Sequence, residues 1–164
     1  MEDLLNLSVI AKISYNLRDA LDQQQFSYNG TDEHITTAEF QRTIIDINNR
    51  YPFIEVCGPW PETTWRGNDS VHAKLWYRIE FRENSINDTA PGALPIIETM
   101  INTGADLVKM IMKDMYRGGN AILTRCEMPG YYFTGDMKQP EFVIYTDVCV
   151  EAFINQNDPY ISGV

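Results

Sequence analysis

Val71-His72-Ala73-Lys74-Leu75-Trp76-Tyr77-Arg78-Ile79-Glu80-Phe81-Arg82-Glu83 is the stretch on which the fold turns. Val71, Ala73, Leu75, Tyr77, Ile79 and Phe81 are apolar, and His72, Lys74, Arg78, Glu80 and Arg82 between them are polar. A period of two places one set on each face of a strand, so 71–83 is predicted to be a half-buried antiparallel strand. Residues 141–154 repeat the pattern: Phe142, Ile144, Thr146, Val148, Val150 and Ala152 alternate with Tyr145, Asp147, Cys149 and Glu151. Thirteen residues span roughly 43 Å, more than the ~40 Å diameter of a chain this long and twice the usual strand. Strands of that length cross the whole domain or project from it, leaving edges for a neighbour to cover.

Outward from these strands the pattern changes to helical. Leu7, Ile10, Ile13, Leu17 and Leu21 recur every three or four residues and predict a helix over 4–21. Residues 22–35 are polar and read as a loop. Thr36-Thr37-Ala38-Glu39 fits a capping box ahead of Phe40, Ile44 and Ile47, predicting a short helix over 37–48; the alternation of Ile45 and Ile47 keeps a strand as the rival reading. A strand over 51–57 runs into Gly58-Pro59-Trp60-Pro61, which opens a long loop over 58–70. A Gly/Pro/Asn-containing loop at 84–93 precedes a helix over 94–117, with Pro95 in its first turn and an apolar face of Ile97, Ile101, Leu107, Val108, Ile111, Met112 and Met115. Lys113 and Arg117 suit its C-terminal dipole, and Gly118-Gly119 stops it. A strand over 121–128, a turn at Pro129-Gly130, a hairpin extension at 131–133 and a polar tail from about 155 complete the chain. The expected architecture is a single α+β domain over 1–164 in the order α(α)ββ-αββ. An antiparallel sheet of about four main strands is covered on one face by two major helices, which pack through Ile10, Ile13, Leu17, Ile101, Val108 and Ile111.

Composition narrows the function. Thirteen Lys and Arg stand against 23 Asp and Glu, a formal net charge of −10, with no basic cluster to displace counterions from phosphates. Tight nucleic-acid binding is therefore not expected. No signal peptide is expected, because Met1-Glu2-Asp3 puts acids where one wants positive charge, and no apolar run approaches the ~18 residues of a membrane span. Cys57, Cys126 and Cys149 form no CxxC and fall in strand-like segments, where buried free thiols are the simplest reading. His34, beside Asp32 and Glu33, lacks a second ligand cluster, and His72 lies on a polar strand face. No nucleophile elbow, phosphate loop or dinucleotide fingerprint occurs. Neither a metal nor a cofactor is expected, and the chain is not expected to be an enzyme; paired carboxylates meeting in the fold keep a small enzyme open as an alternative.

Surface is then the chemistry that remains. Trp60 and Trp65 fall in a loop, Trp76 interrupts a polar strand face, and Tyr131 and Tyr132 adjoin Phe133 beside a turn. Aromatics outside the core pattern are expected at protein interfaces, or, in the plainer alternative, in satellite clusters formed when a loop folds back on itself.

The order helix, strand pair, helix, strand pair resembles the tail terminator and neck terminator proteins of tailed bacteriophages. The likeness is carried by Tyr51-Pro52-Phe53-Ile54-Glu55-Val56 with its Gly58-Pro59-Trp60-Pro61 exit, by Leu75-Trp76-Tyr77-Arg78-Ile79-Glu80-Phe81, and by Gly118-Gly119-Asn120-Ala121. It runs over roughly 4–154 at the level of element order. The resemblance implies a homo-hexameric ring without catalysis, located in the virion after assembly in the host cytoplasm. Such a ring caps the tail tube and docks on the neck or head connector. DNA passes through it without being gripped, which suits an acidic chain. Another oligomeric adaptor of α+β fold is the alternative.

Overall fold

The computed structural model describes residues 8–26, 34–35, 37–41, 52–83, 96–136 and 139–160. The elements run α1 (Val9–Asp19), β1 (Gln25–Phe26), β2 (His34–Ile35), β3 (Thr37–Phe40), β4 (Phe53–Arg66), β5 (Ser70–Glu83), α2 (Ile96–Met112), β6 (Leu123–Cys126), β7 (Gly130–Asp136) and β8 (Gln139–Asn155). The fold is α+β. β1 and β2 form a small ribbon, and a six-stranded sheet has the order β3-β4-β5-β8-β6, with β7 also on β8. Every pair in that sheet is antiparallel except β3 with β4. The sheet thus has six strands where about four were expected, and it is mixed rather than purely antiparallel.

β5 and β8 are its spine, in register from Ser70↔Asn155 to Glu83↔Phe142. The alternation predicts which face is dry. Leu75, Tyr77, Ile79 and Phe81 are buried, opposite Val150, Val148, Thr146 and Ile144. α1 lays Val9, Ile13 and Leu17 on this face, with Leu21 just past its end, and its Ser14 hydroxyl meets the Tyr77 hydroxyl at 2.9 Å. α2 packs on the same face through Met100, Leu107, Met110 and Ile111. Gly104 sets how close α2 comes: a Cβ there would fall 2.9 Å from Pro129 Cβ and 3.6 Å from Ile144 Cγ2.

Several expectations are corrected. α1 starts at Val9, where the Ser8 side chain accepts the Ala11 N–H at 3.3 Å and caps it; residues 4–7 of the expected helix lie outside the described ones. The segment from Thr37 is a strand where a helix over 37–48 was expected. Its backbone pairs with Phe53–Val56, the buried Ala38 lies beside Ile54, and the Ala38 N–H donates to Asp22 at 2.9 Å. Pairing with an already formed sheet outweighs a local capping box; residues 42–48 of that expectation lie outside the described ones. The expected 58–70 loop is the distal half of β4 and a tight turn: a bulge between Cys57 and Trp60 takes in Pro59, Pro61 pairs with Leu75, and a second irregularity falls between Thr63 and Trp65. Residues 131–133 belong to β7, a full strand of the sheet. Ile101 is 63% exposed, not core: the buried arc of α2 runs through 100, 103, 104, 107, 110 and 111, and position 101 is turned off it. Ile10 and Val108 are only partly buried.

α2 ends at Met112, short of the expected 117. Asp114 accepts the Tyr116 and Gly118 N–H groups at 3.1 and 2.7 Å, which shapes a turn, and Arg117, Gly118 and Gly119 all have positive φ. Arg117 then points inward. It is fully buried, donates to Thr124 Oγ1 at 3.0 Å and Asn16 Oδ1 at 3.4 Å, and caps the Ile111 carbonyl. The residues after β8 are likewise tied down: Gln156 N–H donates to Asp69 O at 2.8 Å, Asn157 Nδ2 to Asp69 Oδ1 at 3.1 Å, and Val9 N–H to Pro159 O at 2.9 Å.

Candidate assembly surfaces

Opposite the helices, the sheet shows a second face built from the even residues of β5. The register brings Trp60 opposite Trp76, Glu62 opposite Lys74, and Trp65 opposite His72. The three tryptophans expected at an interface therefore share one face of the β4–β5 hairpin. Trp60 and Trp65 are 53% and 57% exposed, while Trp76 is half-buried and its indole N–H donates to Glu62 at 3.1 Å. Two glycines make room for the rings. A Cβ at Gly58 would lie 2.7 Å from the Trp76 carbonyl and 3.2 Å from the Trp60 ring, and one at Gly67 would lie 2.5 Å from the Trp65 ring. From Pro61 to Arg66 every residue of β4 is exposed, and beyond its first bulge β4 pairs only with β5 among the described residues.

Polar side chains occupy the rest of this face. Arg82 lies 2.5 Å from Glu80, 2.5 Å from Glu141 and 3.4 Å from Glu55. Burial alone would lower its pKa, but the three carboxylates together raise it above the usual guanidinium value. Arg78 pairs with Asp147 at 2.8 Å and lies 4.6 Å from the Tyr145 ring centre. His72 is a partnered residue rather than a solvated one: Nδ1 meets Thr64, Nε2 is 3.3 Å from Glu151, and the Phe153 ring is 5.2 Å away. Ligand atoms of Glu55, Cys57 and Glu80 lie within 4.8 Å of one another. A cation there would compete with Arg82 for both acids, and the thiol is held neutral, pushed up to about 12 by burial and then by Glu55 and Glu80. The group is explained as an ion-pair cluster closed by Arg82.

Tyr131 and Tyr132 lie elsewhere, on β7, with β8 between them and β5. The expected interface residues therefore divide into two groups. Tyr132 is 36% exposed, shares the tryptophan face, and donates to Glu80 Oε1 at 3.3 Å with its ring 5.9 Å from Tyr145. Gly130 leaves space for Tyr145, whose ring oxygen would be 2.6 Å from a Cβ at that position. Tyr131 and Phe133 alternate onto the helix side and are 56% and 57% exposed. Met128 (91% exposed), which precedes Pro129 in the chain, and Ile101, three residues before Gly104 on α2, are two further exposed apolar residues. Sequence reasoning missed Met128 and Ile101 because each sits on an apolar pattern that normally signals core.

Among the described residues β7 pairs only with β8, and none pairs with its outer backbone edge. The sheet consequently presents aromatic residues at both margins, tryptophans at β4 and Tyr131, Tyr132 and Phe133 at β7. No protein-family model and no curated protein matches the chain.

Proposed function

We propose that this chain is a structural protein of the virion neck or tail of a tailed bacteriophage. In this reading it forms a ring, in all expectation a hexamer, that caps the tail tube and joins it to the head connector without catalysis. The observation that carries the reading is the pair of unlike aromatic margins on one sheet. A ring requires heterologous contacts, in which one patch meets a different patch on the next copy. Trp60, Trp65 and Trp76 at one margin and Tyr131 and Tyr132 at the other supply two such patches. The net charge of −10 also suits a channel through which DNA slides without being held.

The test is made on assembled particles. Trp60→Glu and Trp76→Glu introduce a charge where the neighbouring copy packs. Both are expected to fold, by circular dichroism, and to lower incorporation into tails at least tenfold. A folded Trp60→Glu chain that completes infectious particles at the normal level removes the tryptophan margin from the assembly and with it this reading.

A further inference from the structure

The two sheet margins differ in their backbone chemistry. β4 carries Pro59 and Pro61 within its distal half, and proline on an edge strand removes the donors an added strand would need. β7 reads Gly130-Tyr131-Tyr132-Phe133-Thr134-Gly135-Asp136: no proline, no lysine, and no charge before its last residue. Its central Tyr131-Tyr132-Phe133-Thr134 has the residue types that favour strands, and among the described residues β7 pairs with no strand but β8. Natural proteins seldom leave such an edge bare, because it templates pairing with another strand.

The sequence of β7 selects the partner. Antiparallel pairing of two β7 strands keeps the helix layers of both copies on one side only when the two-fold axis passes through a residue. Phe133 is the midpoint, and an axis there pairs all seven residues. Phe133 then faces Phe133, Tyr132 faces Thr134, Tyr131 faces Gly135, and Gly130 faces Asp136. Each bulky aromatic off the axis falls opposite a smaller residue, and the single acid falls opposite a glycine rather than its own copy. Such self-complementarity is what an isologous contact demands.

We propose that the free chain forms a two-fold dimer through antiparallel β7–β7 pairing centred on Phe133, which continues the sheet across two copies. Exposed Tyr131 flanks the seam on the helix side. One edge cannot serve two neighbours, so this dimer and any ring that uses β7 are alternative states, and the dimer has to open before such a ring closes. The dimer stands whether or not the chain is a virion protein, and failure of particle incorporation leaves it untouched.

Opposed residues on paired strands have Cα atoms about 4.5–5.5 Å apart, within reach of a disulfide. Phe133→Cys is therefore expected to cross-link to itself under mild oxidation, at least tenfold more than the unsubstituted chain, whose three thiols are buried or half-buried. A mixture of Tyr132→Cys and Thr134→Cys is expected to give the mixed cross-link in excess of either variant alone. Sedimentation at about 100 µM, above the micromolar range expected for a small interface, is expected to show a dimer that Phe133→Lys dissociates. A monomer at that concentration, a folded Phe133→Cys chain that cross-links no more than the parent, or a Tyr132→Cys and Thr134→Cys mixture without the mixed product would each overturn the proposal.

Discussion

Arg117 shows how far a single side chain can depart from its place in the pattern. Its position after an apolar helix face suggests a solvated cation near the helix dipole, yet it is fully buried and serves Thr124, Asn16 and the Ile111 carbonyl at once. Burial pulls its pKa below the usual guanidinium value, with Asp114 opposing. Arg117→Met keeps most of the volume but leaves those acceptors unpaired, and it is expected to cost about 2–3 kcal/mol in urea unfolding. Asp114 carries the acid side of this junction. Burial disfavours its charge, but hydrogen bonds from Gly118, Asn16 and Tyr116 prevail and hold its carboxyl below the usual value. A lowered carboxyl pKa stabilises the folded state above the unfolded value of 3.8, and that contribution disappears as pH falls through the folded value. Asp114→Asn is therefore expected to lower the melting temperature at neutral pH and to flatten its decline below about pH 4. The thiols behave in the opposite sense. Cys57 is pushed up to about 12 and Cys126 to about 11, in both cases chiefly by burial. Between the ordinary value of 9.0 and these folded values the folded chain holds more protons than the unfolded one, so stability falls as pH rises through that window. The buried Cys57 thiol should react with a disulfide reagent at pH 8 only as fast as the chain unfolds; a rate matching a free thiol would contradict its burial.

At the scale of elements, α2 offers the sharpest contrast. Leu107 is fully buried and Ile101 is 63% exposed, although both belong to the same apolar periodicity. Leu107→Ala is expected to cost about 2–5 kcal/mol, whereas Ile101→Asp should stay within about 0.5 kcal/mol of the parent in the same melt. Equal losses would mean that the helix is rotated. The periodicity revealed that 94–117 contains an amphipathic helix but not which of two adjacent stripes faces inward. That choice rests on Gly104 against Pro129, a contact between residues 25 positions apart that no local pattern encodes. The long strands were legible for the opposite reason: every second residue from Val71 to Phe81, and from Phe142 to Ala152 with only Thr146 excepted, is apolar, and a one-residue slip would turn that set to the wrong face. β4 was misjudged beyond Cys57 because Pro59 and Pro61 normally break strands, and only pairing with β5 reveals them as edge protection. The aromatic residues at 60, 65, 76, 131 and 132 were legible as unusual, but their division between two sheet margins depends on β8 lying between β5 and β7. Pro61→Thr, which restores a backbone donor, should leave the far-ultraviolet spectrum unchanged and increase light scattering at high concentration.

The whole molecule carries its charge against its surfaces. Every copy bears a formal −10, so two copies brought together repel at long range, whatever contact they make. The β7 edge, the exposed Tyr131 and Phe133, and the tryptophan margin contribute backbone hydrogen bonds and apolar area to a contact, and salt weakens neither strongly. The ion pairs that the chain does make on its open face, Arg82 with Glu55, Glu80 and Glu141 and Arg78 with Asp147, are satisfied within one copy and leave those cations no need of a partner's acids. Self-association should therefore strengthen as salt is added. Raising ionic strength from about 0.01 to 0.15 M shortens the screening length from about 30 to 8 Å, which removes most of the repulsion between two acidic bodies and little of the short-range attraction. Sedimentation equilibrium across that range is expected to show the association constant rising at least threefold and then levelling off. A constant that falls with salt would mean that cross-subunit ion pairs hold the copies together, and neither the β7 edge nor the tryptophan margin would then be the surface that joins them.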